Sequence, residues 1–161
     1  MLWQQFGAAI AMLSNAMLAC PDQLWSNRSQ QPQFWYVAYH TLFWLDLYLS
    51  DSLGVFVPPP PFTLDELDPA GIIPEKVYTK EQLQNYLAHC RKKCRATIAA
   101  LNEESSKQRC GFKWLDITVA ELMLYDLRHV QHHVAQLNLL LRQNIGSAPR
   151  WVAQAKEQPE S

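Results

Sequence analysis

The sequence predicts an all-α fold, an antiparallel four-helix bundle with a long crossover between the second and third helices. Three observations carry this expectation. Apolar residues recur at steps of three and four in four separate stretches. Thr-x-x-Gln and Thr-x-x-Glu capping patterns stand ahead of two of them, at Thr79 and Thr118. No segment joins an alternating pattern to β-branched enrichment, so no sheet is assigned. Four long amphipathic helices with one long connection describe a bundle.

In chain order, Leu2, Phe6, Ala9, Leu13, Ala16 and Met17 form one helical stripe, which Pro21 ends. A polar loop over 22–31 leads to Pro32, whose fixed φ suits a first helical turn. Tyr36, Val37, His40, Phe43, Trp44 and Leu47 then share a face, giving a second helix to about Ser50. Pro58 to Pro61 forbid helix and sheet ladder alike, and the stretch to Tyr78 reads as crossover. Within it Thr63-Leu-Asp-Glu66 has the form of a capping box opening one short helix. Behind the Thr79 box, Leu83, Tyr86, Leu87, Cys90, Cys94, Ile98 and Leu101 continue a third helix, with Glu103 and Glu104 placed on its extension. The Thr118 box opens a fourth helix that runs to Gly146. Trp151 is expected to pack back on the bundle, and residues beyond 154 are expected to fray.

A chain of 161 residues is read as one domain over 1–154 with a polar tail over 155–161. Fourteen basic against fifteen acidic side chains give a net charge of -1, which offers no field to draw nucleic acid or anionic lipid. The five glycines form neither a GxGxxG nor a GxxxxGK loop, so the common dinucleotide and P-loop motifs are excluded. No Lys or Arg precedes Arg28, so no cleaved signal peptide is expected. The longest apolar stretch, 34–57, is broken by His40, Asp46 and Asp51 and reads as buried helix plus loop, not as a membrane span. Four cysteines, two of them four apart, do not form a secreted disulfide framework, and a cytoplasmic compartment fits them.

The chemistry concentrates in Arg128-His129-Val-Gln-His132-His133. His129 and His133 lie about 40° apart on one helical face, the arrangement by which two imidazoles reach one divalent ion. Val130 replaces the glutamate of an HExxH peptidase helix. His40, on the buried stripe of the second helix, is the candidate third ligand. On the alternative reading His40 is a core histidine satisfied by one hydrogen bond, and His129 and His133 are partly exposed polar residues. Gln136, about 20° from His129 on the helical wheel, either touches a ligand or substrate or packs on the bundle rim. Asp126 reads as a surface carboxylate paired with Arg128 or Arg142, or else as an acceptor for an imidazole. His132 faces a neighbouring helix or solvent. Cys90 and Cys94 read as small core residues. Arg91, Lys92, Lys93 and Arg95 read as a solvated helix face, and Phe34-Trp35-Tyr36 as core or dimer surface. Ile10, Met12, Leu124, Leu137 and Leu139 put aliphatic residues on more than one face of their helices, which predicts a homodimer.

A histidine midway along the second helix, His129 and His133 followed by Gln136, and the end Leu139-Leu-Leu-Arg142 with Gly146 resemble the DinB-like superfamily of four-helix-bundle metalloenzymes. The resemblance extends through about Trp151. It implies that His40, His129 and His133 are the metal triad and that the chain is a metal-dependent thiol transferase or hydrolase. Where that family often carries Arg-Gly-Gln after the last ligand, this chain has Val134-Ala135-Gln136. The expected cofactor is a divalent transition metal, zinc or nickel foremost. The expected substrate is a small molecule, with a low-molecular-weight thiol as co-substrate. Its pocket is expected beside His40, with Gln136 at the rim and Tyr36, Phe43 and Trp44 as an apolar wall. The alternative is a non-enzymatic bundle whose metal is structural or adventitious, with a stress-related or small-molecule-binding role.

Overall fold

The computed structural model describes residues 1–71 and 73–155. Among them are six α-helices: α1 (Leu2–Ala19), α2 (Asp22–Trp25), α3 (Phe34–Tyr48), α4 (Lys80–Ala100), α5 (Glu103–Lys107) and α6 (Val119–Ile145). An isolated bridge between Arg109 and Thr118 is the only β pairing among these residues. The all-α expectation holds, and the four long helices are those that the apolar stripes mark. None of the described helices is long and apolar enough to cross a membrane.

The long helices close a ring in which α1 and α3 each pack between α4 and α6. Side-chain pairs set their directions. Ser14 meets Gln84 while Trp3 meets Arg95, so α1 and α4 are antiparallel. His40 meets His129 while Tyr48 meets Tyr125, so α3 and α6 are antiparallel. Leu42 meets Cys90 and Ser50 meets Lys93, so α3 and α4, the pair joined by the crossover, run parallel. A short loop cannot return the chain to the same end of the bundle; the long crossover does so.

Local sequence explains the helix ends. Thr79 with Gln82 and Thr118 with Glu121 form complete capping boxes, each worth about 1 kcal/mol. Gly146 closes α6 at φ 73°, the left-handed region in which a Cβ is disfavoured. α3 departs from a one-sided pattern. Twelve of its 15 residues are buried, because α4 and α6 flank it and the crossover covers much of the rest.

Four local expectations are corrected. The loop over 22–31 contains α2, whose Trp25 Nε1 donates to Tyr78 O at 2.9 Å. α4 stops at Ala100, and Asn102 and Ser105 form a new capping box, so Glu103 and Glu104 belong to a separate helix. Thr63 and Glu66 form no capping box: Thr63 Oγ1 accepts only from Asp65 N, at 3.4 Å, and the turn is a short 3-10 helix over Asp65–Leu67. Trp151 is 69% exposed; the chain end returns to α1 instead through Val152 and a bond from Ala155 N to Gln4 O at 2.8 Å. Residues 156–161 of the expected tail lie outside the described residues.

Candidate metal centre

α3 and α6 bring His40 opposite the one-turn pair His129 and His133. His40 Nε2 and His129 Nε2 are 3.5 Å apart. The His133 ring centroid lies 4.8 Å from that of His40 and 4.6 Å from that of His129. One possible ligand atom from each residue lies within 4.8 Å of the other two. All three side chains are half-buried, so a cluster formed from two helices opens to solvent on one side.

Hydrogen bonds decide which nitrogen each ring offers. His133 Nδ1–H donates to Gln136 Oε1 at 2.8 Å, leaving the Nε2 lone pair free. His40 Nδ1–H donates to Glu66 Oε1, which leaves its Nε2 turned toward His129. His129 Nδ1 is buried with no hydrogen-bond partner among the described residues. Burial, and then the imidazoles of His133, His40 and His132, push His129 down to about 3. Burial pushes His133 down to about 4, against the opposing effect of its bond to Gln136. Both rings are therefore neutral at pH 7, the form that binds metals.

These residues fit a divalent transition ion. Two nitrogens bound at about 2.05 Å to one tetrahedral ion stand roughly 3.3 Å apart, close to the His40–His129 spacing. The Nε2 atoms of His40 and His129 face one another, so a single cation or a single proton between them satisfies both. A family model for the DinB superfamily matches residues 5–137. The chain belongs to the DinB superfamily. No curated protein and no solved structure matches it significantly.

The DinB superfamily chain carries further groups around this cluster. Gln136 bridges two histidines: while Oε1 accepts from His133, Nε2–H donates to His132 Nε2 at 3.2 Å. His132 is exposed and meets the cluster through Gln136 and by an edge-on contact with the His133 ring, 5.0 Å between centroids. Tyr36 and Trp44 flank His40 one turn to either side, each with its ring centroid 6.2 Å away. Phe43, expected in the same wall, is turned fully into the core against Tyr39 and Phe56. An open groove of about 500 Å³ lies along α6 beside His129, lined also by Tyr125, Leu127, Arg128, Gln131, His132 and Ala135. Gln136 is not in its lining, and the groove lies on one helix rather than between α3 and α6.

Asp126 corrects the surface reading. It is fully buried, and neither oxygen has a partner among the described residues, so no arginine and no imidazole holds it. Burial, reinforced by Asp46 and opposed by Lys93, raises its carboxyl well above the usual range. Lys93 likewise leaves the predicted solvated face: its Nζ donates to Asp46 Oδ1 at 2.6 Å and to Ser50 Oγ at 2.7 Å. Tyr86 Oη completes the cluster by donating to Asp46 Oδ2 at 3.0 Å. Cys90 and Cys94 are buried free thiols, as expected of core residues, and burial pushes both up and away from reactivity.

Glu66 is the residue at the site that sequence reasoning missed. Its only signal was the Thr63-x-x-Glu66 pattern, which has a sufficient local explanation as a helix cap. The bond to His40 spans 26 positions and depends on where the crossover lies.

Proposed function

We propose that this chain is a metal-dependent enzyme that holds a divalent transition ion, zinc or nickel foremost, on His40, His129 and His133 and acts on a small molecule. The observation that carries the reading is the meeting of three imidazoles with two of them held neutral. When bound on three neutral ligands, such an ion supplies Lewis acidity and lowers the pKa of a thiol or water that joins it. A closed structural site has four protein ligands, so three ligands beside an open groove favour catalysis over a structural metal.

The chain's own residues have separate tasks. Gln136 and Glu66 fix the ring tautomers of His133 and His40. Trp44 and Tyr36 shield His40 from bulk water. Arg128 lines the groove next to His129 and is placed to pair with a substrate carboxylate, the role for which the segment after His133 supplies no arginine. A low-molecular-weight thiol bearing a carboxylate is the preferred co-substrate, and thiol transfer is favoured over hydrolysis. Free buried cysteines support a cytoplasmic, reducing compartment. Exposed Leu124 and Leu139 on the outer face of α6 support a homodimer.

Thiols titrated into the cobalt-substituted protein test the reading. A sulfur-to-metal charge-transfer band at millimolar thiol is expected, and Arg128→Ala should raise the thiol concentration required. No spectral change would remove thiol transfer.

A further inference from the structure

We propose that Glu66 is a positioning residue through which ion binding at the histidine cluster and ordering of the crossover become one coupled event. The proposal rests on the metal-binding reading above and deepens it by assigning the site a regulatory arm.

The crossover is anchored on both sides of Glu66. Phe62 stacks on Tyr86 with ring centroids 4.4 Å apart and packs 4.7 Å from Tyr78, while Leu67 packs against the core on the other side. Between these anchors the backbone is held locally by one tight turn, with Leu67 N bonded to Leu64 O at 2.9 Å and Asp68 N to Asp65 O at 3.0 Å. A segment carrying so few backbone bonds, mostly exposed, opens at low cost unless a side chain ties it down. Glu66 is that tie. Its side chain is 4% exposed and its Oε1 accepts the Nδ1–H of His40.

The charge at Glu66 links the tie to the ion. Its Oε2 is buried with no hydrogen-bond partner among the described residues. The Tyr36 hydroxyl also interacts with this carboxyl, but it is a neutral donor, and a buried carboxylate held by neutral donors is costly unless positive charge lies close by. An ion on His40 Nε2 places that charge across the imidazole, so its binding favours the inward position of Glu66. Reciprocally, an inward Glu66 orients His40 and raises its basicity, so it favours the ion; linkage makes the two effects equal in free energy. Removing such an outer partner of a metal-bound histidine typically weakens metal affinity 10–100-fold.

The test uses zinc titrations and backbone hydrogen exchange on wild type, Glu66→Gln, Glu66→Ala and His129→Ala at pH 7.5. Zinc is expected to slow exchange at Leu67 and Asp68 in wild type and to leave it unchanged in Glu66→Ala and in His129→Ala. Zinc affinity is expected to fall about 10–100-fold in Glu66→Ala and less in Glu66→Gln, which keeps an acceptor but loses the charge. In the metal-free protein, nitrogen-15 shifts should show the Nδ1–H tautomer of His40 in wild type and a tautomer mixture in Glu66→Ala, a readout independent of any ion. Wild-type zinc affinity retained in Glu66→Ala, or crossover exchange unmoved by zinc in wild type, would overturn the coupling while the metal site stands. Wild type that binds no more zinc than His129→Ala would overturn the metal reading itself, and the coupling with it.

Discussion

His40 Nε2 on α3 stands 3.5 Å from His129 Nε2 on α6, a separation set by packing of two antiparallel helices and suited to one shared ion. Wild-type protein dialysed against zinc should retain close to one ion per chain, and His129→Ala with His133→Ala should retain almost none. The ion should also raise the unfolding midpoint. Ligand at about 1,000 times its dissociation constant adds roughly 4 kcal/mol. Elemental analysis and thermal denaturation measure the two effects.

The metal-free protein should lose stability as acid is added, beginning well above the carboxylate range. His129 falls to about 3 and His133 to about 4 in the folded state, both below the ordinary imidazole value. A folded-state pKa below the unfolded one means that the unfolded chain binds more protons, so this contribution is present above about 6.5 and is lost as pH falls toward about 4. Denaturant titrations at pH 7.5, 5.5 and 4.5 should show the decline, and the double variant His129→Gln, His133→Gln should show a shallower one.

Asp126 should have the opposite pH signature. Its folded-state pKa is raised, chiefly by burial, so its contribution is most favourable below the ordinary carboxylate value and is lost as pH rises. Asp126→Asn keeps the shape without the ionisation. It should be more stable than wild type at pH 7.5, and the gain should shrink toward pH 4. A variant less stable than wild type at both pH values would mean that the carboxyl has a hydrogen-bonded role in the fold.

Gln136 holds the Nδ1–H of His133 and joins it to His132. Gln136→Leu should lower zinc affinity by about 10–100-fold while leaving the fold intact. His132→Ala should leave affinity within about threefold, since His132 is exposed and lies outside the three imidazoles whose nitrogens converge. Competition titrations against a chromophoric chelator separate these outcomes.

Leu124 and Leu139 are 55% and 52% exposed on the same side of α6. A homodimer that covers them should sediment near twice 18.6 kDa, and Leu124→Arg with Leu139→Arg should return the mass to that of one chain. A wild-type mass of one chain at tens of micromolar, on the order of ordinary assay concentrations, would leave these residues as ordinary surface.

Ile10, Met12 and Leu137 show why the sequence overstated the dimer face. All three are buried within the chain's own core: Leu137 lies on the wheel between Leu122 and Leu141, Ile10 lies at the edge of the α1 stripe beside Met17, and Met12 lies on its other flank. A bundle helix with two neighbours buries a broad arc, and α3 is covered on nearly every side. Trp151 misled in the same way, since its size suggested burial that Val152 provides instead.

The four long helices, the Thr79 and Thr118 boxes, the Gly146 stop and the pairing of His129 with His133 were all determined by sequence alone. Each depends on interactions within about four residues of helix, where spacing dictates direction. His40 was legible as a candidate third ligand from its place midway along the second helix, but the face that carries it, with Tyr36 and Trp44, is the part of α3 that the core leaves half-exposed. The inward turn of Glu66, the Asp46–Lys93 cluster and the isolation of Asp126 were decided only by the tertiary structure. Their partners lie on different elements, and a polar residue's local pattern fits a cap or a solvated face as well as a buried contact. Packing α3 beside α4 and α6, with the crossover laid over them, is what gives those side chains their chemistry.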